Sequence, residues 1–108
     1  MFLRNYWYVA ATDAEISRKP LGRMILGDPI VLFRAEDGTP VAFEDRCPHL
    51  GYQLSEGDLE GCTLTCANHL WEFDALTGKG TNPGNCHLTV IDTRVREGKI
   101  EILVHSLE

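Results

Sequence analysis

Four metal-binding side chains fall into two matched pairs, Cys47 with His49 and Cys66 with His69. The pairs read Cys-x-His and Cys-x-x-His, with sixteen residues between them. A short Cys-to-His spacing lets one loop offer a thiolate and an imidazole from the same side. Two such loops at the ends of adjacent strands can face each other across a metal centre. Three readings stand side by side. The four residues can be unrelated, the thiols acting as small hydrophobes and the imidazoles as ordinary hydrogen-bonding groups. They can form a structural zinc site, a zinc-stabilised binding domain, although zinc motifs usually pair like ligands. Or they can hold an iron–sulfur centre in which two histidines replace two cysteines on one iron. Mixed loops suit the last, because each can place its Cys on one iron and its His on the other.

Loops of this kind need strands to hold them, and strand signals dominate the chain. Residues 6–11 are aromatic and β-branched, and residues 23–26 and 30–34 flank a Gly27-Asp28-Pro29 turn. Asp37-Gly38 leads into 41–44, and short extended stretches follow at 63–66 and 70–73. Residues 88–95 and 99–104 flank Glu97-Gly98 as a further hairpin. The pattern predicts an all-β fold of small antiparallel sheets, sandwich- or barrel-like. Helical signal is confined to Thr12, a capping residue with Glu15 three positions on. Residues 46–61 and 74–86 read as loops, and long loops in a small domain commonly carry ligands. Trp7, Tyr8, Phe33 and Phe43 are most simply core.

The 108 residues are expected to form one domain, 1–108, with the site-bearing part at about 45–86. Hydrophobic residues make up 44%, too many for broad disorder, and no apolar run reaches the roughly 20 residues of a spanning helix. Basic residues number 10 against 16 acidic ones, and they form no cluster that would grip phosphate, so neither nucleic acid nor membrane is expected as a partner. The N-terminus lacks the pattern of a signal peptide, which leads us to expect a cytoplasmic protein. In that setting cysteines read as ligands or free thiols. Acid concentrates in one stretch, with Glu44, Asp45, Glu56, Asp58, Glu60, Glu72 and Asp74 set against Arg46 alone. It reads as a solvated face or as a docking face for a basic partner.

Cys47-Pro48-His49-Leu50-Gly51 and Cys66-x-x-His69 resemble the two ligand loops of Rieske [2Fe–2S] proteins. The stretch from Leu54-Ser55-Glu56-Gly57 through Glu60-Gly61, Leu64-Thr65-Cys66, His69-Leu70-Trp71, Phe73, Thr77-Gly78, Gly80 and Asn82-Pro83 is similar to the Rieske ferredoxin component of toluene 4-monooxygenase. Asn5-Tyr6-Trp7-Tyr8-Val9-Ala10 and Pro20-Leu21-Gly22-Arg23 look more like the opening of Rieske-type ring-hydroxylating and demethylating oxygenases. The resemblance implies three small antiparallel sheets with the cluster in a subdomain at one tip. It implies one [2Fe–2S] cluster per chain, with Cys47 and Cys66 on the inner iron and His49 and His69 on the outer one. It also sets Pro83 in a loop covering the cluster, although proline there is equally an ordinary turn residue. Trp71, directly after the second loop, packs over the cluster or touches a partner.

A cluster with two neutral imidazoles is about two charges less negative than a four-thiolate one, which raises its potential. High-potential members of the family add hydroxyl donors and a loop-bridging disulfide. Here the corresponding positions hold Trp71 and Phe73, and Tyr52 and Asn68. Fewer hydrogen bonds to the sulfurs imply a low-potential centre. The resemblance thus implies an electron-transfer ferredoxin rather than an enzyme. It would link an NAD(P)H-dependent flavin reductase to the oxygenase component of an aromatic or hydrocarbon mono- or dioxygenase. Glu56, Asp58 and Glu72 are the expected docking residues. The alternatives are the Rieske module of a terminal oxygenase, whose mononuclear iron domain 108 residues would not accommodate, or a nitrite reductase small subunit. Cys62 and Cys86 are expected as buried or partly buried thiols, and His87 and His105 as ordinary surface or hydrogen-bonded residues.

Overall fold

Short extended segments pair into antiparallel ladders in the computed structural model, which describes residues 6–48, 51–67 and 70–104. The strands are β1 (Tyr6–Thr12), β2 (Leu21–Ile25), β3 (Asp28–Arg34), β4 (Pro40–Glu44), β5 (Asp58–Glu60), β6 (Thr63–Thr65), β7 (Glu72–Asp74), β8 (Gly80–Asn82), β9 (Val90–Ile91), β10 (Thr93–Arg96) and β11 (Lys99–Val104). They form three sheets, ordered β1-β11-β10, β2-β3-β4-β9 and β5-β6-β7-β8. The fold is all-β, as the sequence predicts. No helix among the described residues is long and apolar enough to cross a membrane.

The sheet built on β3 and β4 is the middle layer. Successive strand residues point to opposite faces, and here both faces are buried. Val31, Phe33, Val41 and Phe43 enter one core, together with Cys47 and Cys66. Ile30, Leu32 and Ala42 enter a second core, closed by Ile100 and Ile102 of β11. This explains the near-continuous apolar run of β3, since a strand buried on one face only would alternate with polar residues.

Several local expectations shift. The β2–β3 turn is Leu26-Gly27, with φ of 50° and 85°, rather than Gly27-Asp28-Pro29. Two left-handed residues match the twist of a tight hairpin, and Pro29, which lacks an N–H, sits near the start of β3 instead. Glu97-Gly98 forms an equivalent turn, with φ of 51° and 77°. Residues 88–95 are not one strand. The chain leaves β4 after β9 and joins β11 as β10, with the Asp92 carbonyl accepting from the Leu103 N–H at 3.0 Å. Thr12 caps a single 3-10 turn, Asp13–Glu15, and its N–H donates to the Glu15 carboxylate at 2.8 Å. Trp7 and Tyr8 are half-buried rather than core, because β1 lies at the edge of an outer sheet. The Arg94 guanidinium covers the Trp7 ring at 4.2 Å. Phe33 and Phe43 are fully buried, with ring centroids 5.9 Å apart.

Candidate metal centre

Cys47 lies three residues beyond β4, and Cys66 directly follows β6. The loops they open share one backbone plan. The Cys47 N–H donates to the Tyr52 carbonyl at 2.8 Å, and the Cys66 N–H donates to the Trp71 carbonyl at 2.8 Å. Each loop therefore closes on the fifth residue after its cysteine. The residue before that acceptor is left-handed in both, Gly51 at φ 78° and Leu70 at φ 57°. The strands that carry the cysteines belong to different sheets rather than being neighbours in one. The loops nevertheless lie side by side, since Gly51, Tyr52 and Ala67 line one shallow groove.

Both cysteines are 1% exposed and enter the same core, beside Leu54, Leu64 and Phe73. His49 and His69 lie outside the described residues. By sequence they fall inside these same two loops. Two thiols meeting in one core, with imidazoles in the adjoining loop residues, make a soft and borderline donor set suited to an iron–sulfur cluster. The residues present fit such a group.

The surroundings sort the acidic stretch. Leu59, Leu64 and Phe73 are paired across β5, β6 and β7 and point inward. The flanking rows, Asp58–Thr65–Glu72 and Glu60–Thr63–Asp74, therefore point outward. No Lys or Arg occurs in β5 to β8. Glu56 is also exposed. Asp45 is the exception to the surface reading. It is 2% exposed and accepts hydrogen bonds from Ser55. Backbone N–H groups of Thr77 and Leu76 hold the Asp74 carboxyl below its ordinary range.

Trp71 is half-buried and packs against the cysteine-bearing core. Pro83 is half-buried beyond a cis Asn82–Pro83 bond, and its carbonyl accepts from the Cys86 thiol at 3.7 Å. Gly80 is required beneath this loop, since a Cβ there would meet the Pro83 carbonyl oxygen at 2.6 Å. Cys86 is half-buried, but Cys62 is exposed, contrary to expectation, because it sits in the β5–β6 turn. Its hydrogen bond to Glu36 pushes the thiol pKa up. Both are free thiols. His87 is exposed, and His105 lies outside the described residues. Sequence reasoning missed Leu70, whose left-handed backbone no leucine signals, and Asp45, which it counted with the surface acids.

A family profile described as the Rieske [2Fe–2S] domain matches residues 6–92. The oxygenase component of dicamba O-demethylase from Stenotrophomonas maltophilia is 51% identical over 73 residues, covering 68% of this chain and 22% of that protein. This chain thus spans about a fifth of the length of the curated relatives it matches. A crystal structure of dicamba monooxygenase bound to dicamba superposes with a TM-score of 0.84 at 39% identity, over 94% of this chain and 32% of that one. A complex of reduced oxygenase and oxidized ferredoxin in carbazole 1,9a-dioxygenase contains a chain matched with a TM-score of 0.81 at 27% identity, over 94% of this chain and 97% of that one. Membership carries a Rieske-type cluster with it, which displaces the zinc reading. The chain belongs to the Rieske [2Fe–2S] domain family, in the branch whose relatives are components of oxygenase systems.

Proposed function

We propose that residues 1–108 act as one Rieske domain and as an electron-transfer ferredoxin, with Cys47, His49, Cys66 and His69 as cluster ligands. The observation that carries this is the pairing of two buried cysteines at the same position of two like loops, side by side at the protein surface. A bound cluster of this type supplies one-electron transfer. The chain's own residues do the rest. The core around Leu54, Leu64 and Phe73 keeps water from the thiolates, and Trp71 seals its flank. The electron donor would be a flavin reductase and the acceptor an oxygenase component. Both dock transiently on a tip where exposed Tyr52 and Leu70 are bordered by Glu56, Asp58 and Glu72. An apolar centre with a charged rim suits a short-lived, steered contact. Pro83 closes the far side.

The structural match to a chain in a ferredoxin–oxygenase complex supports the ferredoxin reading. The oxygenase components among the relatives support a second one, the Rieske module of a terminal oxygenase. One experiment separates them. The anaerobically purified protein is assayed for iron and sulfide, its reduced form is examined by electron paramagnetic resonance, and it is mixed with a separate oxygenase component. A Rieske spectrum with rapid electron transfer supports the ferredoxin. A Rieske spectrum without transfer supports the module. A colourless, iron-free protein overturns both. Neither Trp71 nor Phe73 offers a hydroxyl to the cluster, so a titration should give a midpoint at or below about -100 mV. A clearly positive value would contradict this.

A further inference from the structure

We infer that Asp45 is a positioning residue, whose buried carboxylate clamps Ser55 across the base of the first cysteine loop and so sets Cys47 against Cys66. The inference rests on the cluster reading above. Asp45 precedes Cys47 by two residues, and Ser55 follows Tyr52, where the loop closes, by three. The Ser55 N–H donates to one carboxylate oxygen at 2.8 Å, and the Ser55 hydroxyl donates to the other at 2.6 Å. Ser55 sits in the 3-10 turn Leu54–Glu56, and Gln53 before it supplies no side-chain cap. Asp45 thus satisfies a free N–H of that turn from outside it.

The clamp is anchored on both sides. The Asp45 N–H donates to the Pro29 carbonyl at 2.9 Å, fixing it to β3. Gly22 of β2 lies over it, so close that a Cβ would come within 2.9 Å of Ser55 Oγ and 3.3 Å of Asp45 Oδ2. The turn then ends at Gly57, pressed on the other loop's entry. A Cβ on Gly57 would meet the Thr65 carbonyl oxygen at 2.1 Å, one residue before Cys66. A continuous path of contacts thus runs from Asp45 through Ser55 and Gly57 to the residue preceding Cys66. A buried carboxylate is costly unless hydrogen-bonded, so the clamp has strong reason to stay shut.

The test compares the cluster-loaded wild type with D45A, D45N and S55A. It reads the rate of iron loss to a chelator, the paramagnetic resonance spectrum of the reduced protein, and thermal unfolding. D45A should lose iron about tenfold faster, the scale of lost hydrogen bonds to a charged group, with a broadened spectrum. S55A keeps the backbone bond and should lose iron about threefold faster. D45N should stay within about twofold of wild type, because its amide oxygen accepts from the Ser55 N–H and its NH2 donates to Ser55 Oγ. A lowered unfolding temperature in D45A and S55A with unchanged spectrum and iron loss would overturn the inference, as would a D45N as disturbed as D45A. Should D45A fail to fold, S55A and D45N decide. A wild type without cluster would instead sink the ferredoxin reading itself.

Discussion

The two cysteine loops share a hydrogen-bond plan but are closed by different means. The second is a hairpin tip, because Thr65 and Glu72 on either side of it are paired in the β6–β7 ladder. The first runs from β4 in the middle sheet to β5 in another, so no ladder joins its ends. Its base is held by side chains, Asp45 to Ser55. They differ also at the left-handed position, glycine in the first and leucine in the second. The lesson is that like geometry in two facing loops need not rest on like support. The sheet holds one loop by backbone pairing, and the other depends on a buried polar contact.

The largest effect should erase the difference. C47S or C66S is expected to remove the cluster entirely, read as iron and sulfide content near zero, whichever loop is hit. A variant that keeps full iron would break the equivalence of the two cysteines. Next, the left-handed positions should respond differently. G51V places a β-branched residue at φ 78° and should cost about 1–3 kcal/mol. For a domain of this size that lowers the melting temperature by about 4–8 °C per kcal/mol. L70G relieves the strain at φ 57° and should leave melting unchanged or raise it by a few degrees. A fall in L70G as deep as that in G51V would refute the backbone comparison.

Charge sharpens it further. Neutralising Glu56, Asp58 and Glu72 together should slow reduction of the oxygenase component severalfold at low ionic strength and flatten its salt dependence. The pair flanking the second loop, D58N with E72Q, should account for most of that. Stopped-flow rates across a salt series check both statements. The smallest effect lies in the β7–β8 turn. The Asp74 carboxyl is held low by backbone N–H groups, so its stabilisation is present above the ordinary carboxylate range and is lost as pH falls through the lowered folded value. Melting of D74N should trail wild type at neutral pH, and the gap should close in acid.

Much of this was legible in the residues. The family, signalled by two Cys–His motifs, the all-β pattern and the Glu97-Gly98 turn all rest on residue types with few alternative uses. What escaped is non-local. Asp45 reads as one more surface acid until Ser55, ten positions away, is brought beneath it. The three-residue strands β5 and β8 are too short and polar to show a period. The break of residues 88–95 into two sheets depends on where β4 ends, which no window along the chain contains. Leu70 carries no mark of its backbone state.

Strands β3 and β4 have apolar contacts on either side, one set with the thiols and the other with β11. They work as a bulkhead. The compartment that holds Cys47 and Cys66 and the one closed by Ile100 and Ile102 share these two strands as a common wall, so local opening around the thiols need not melt the remote core.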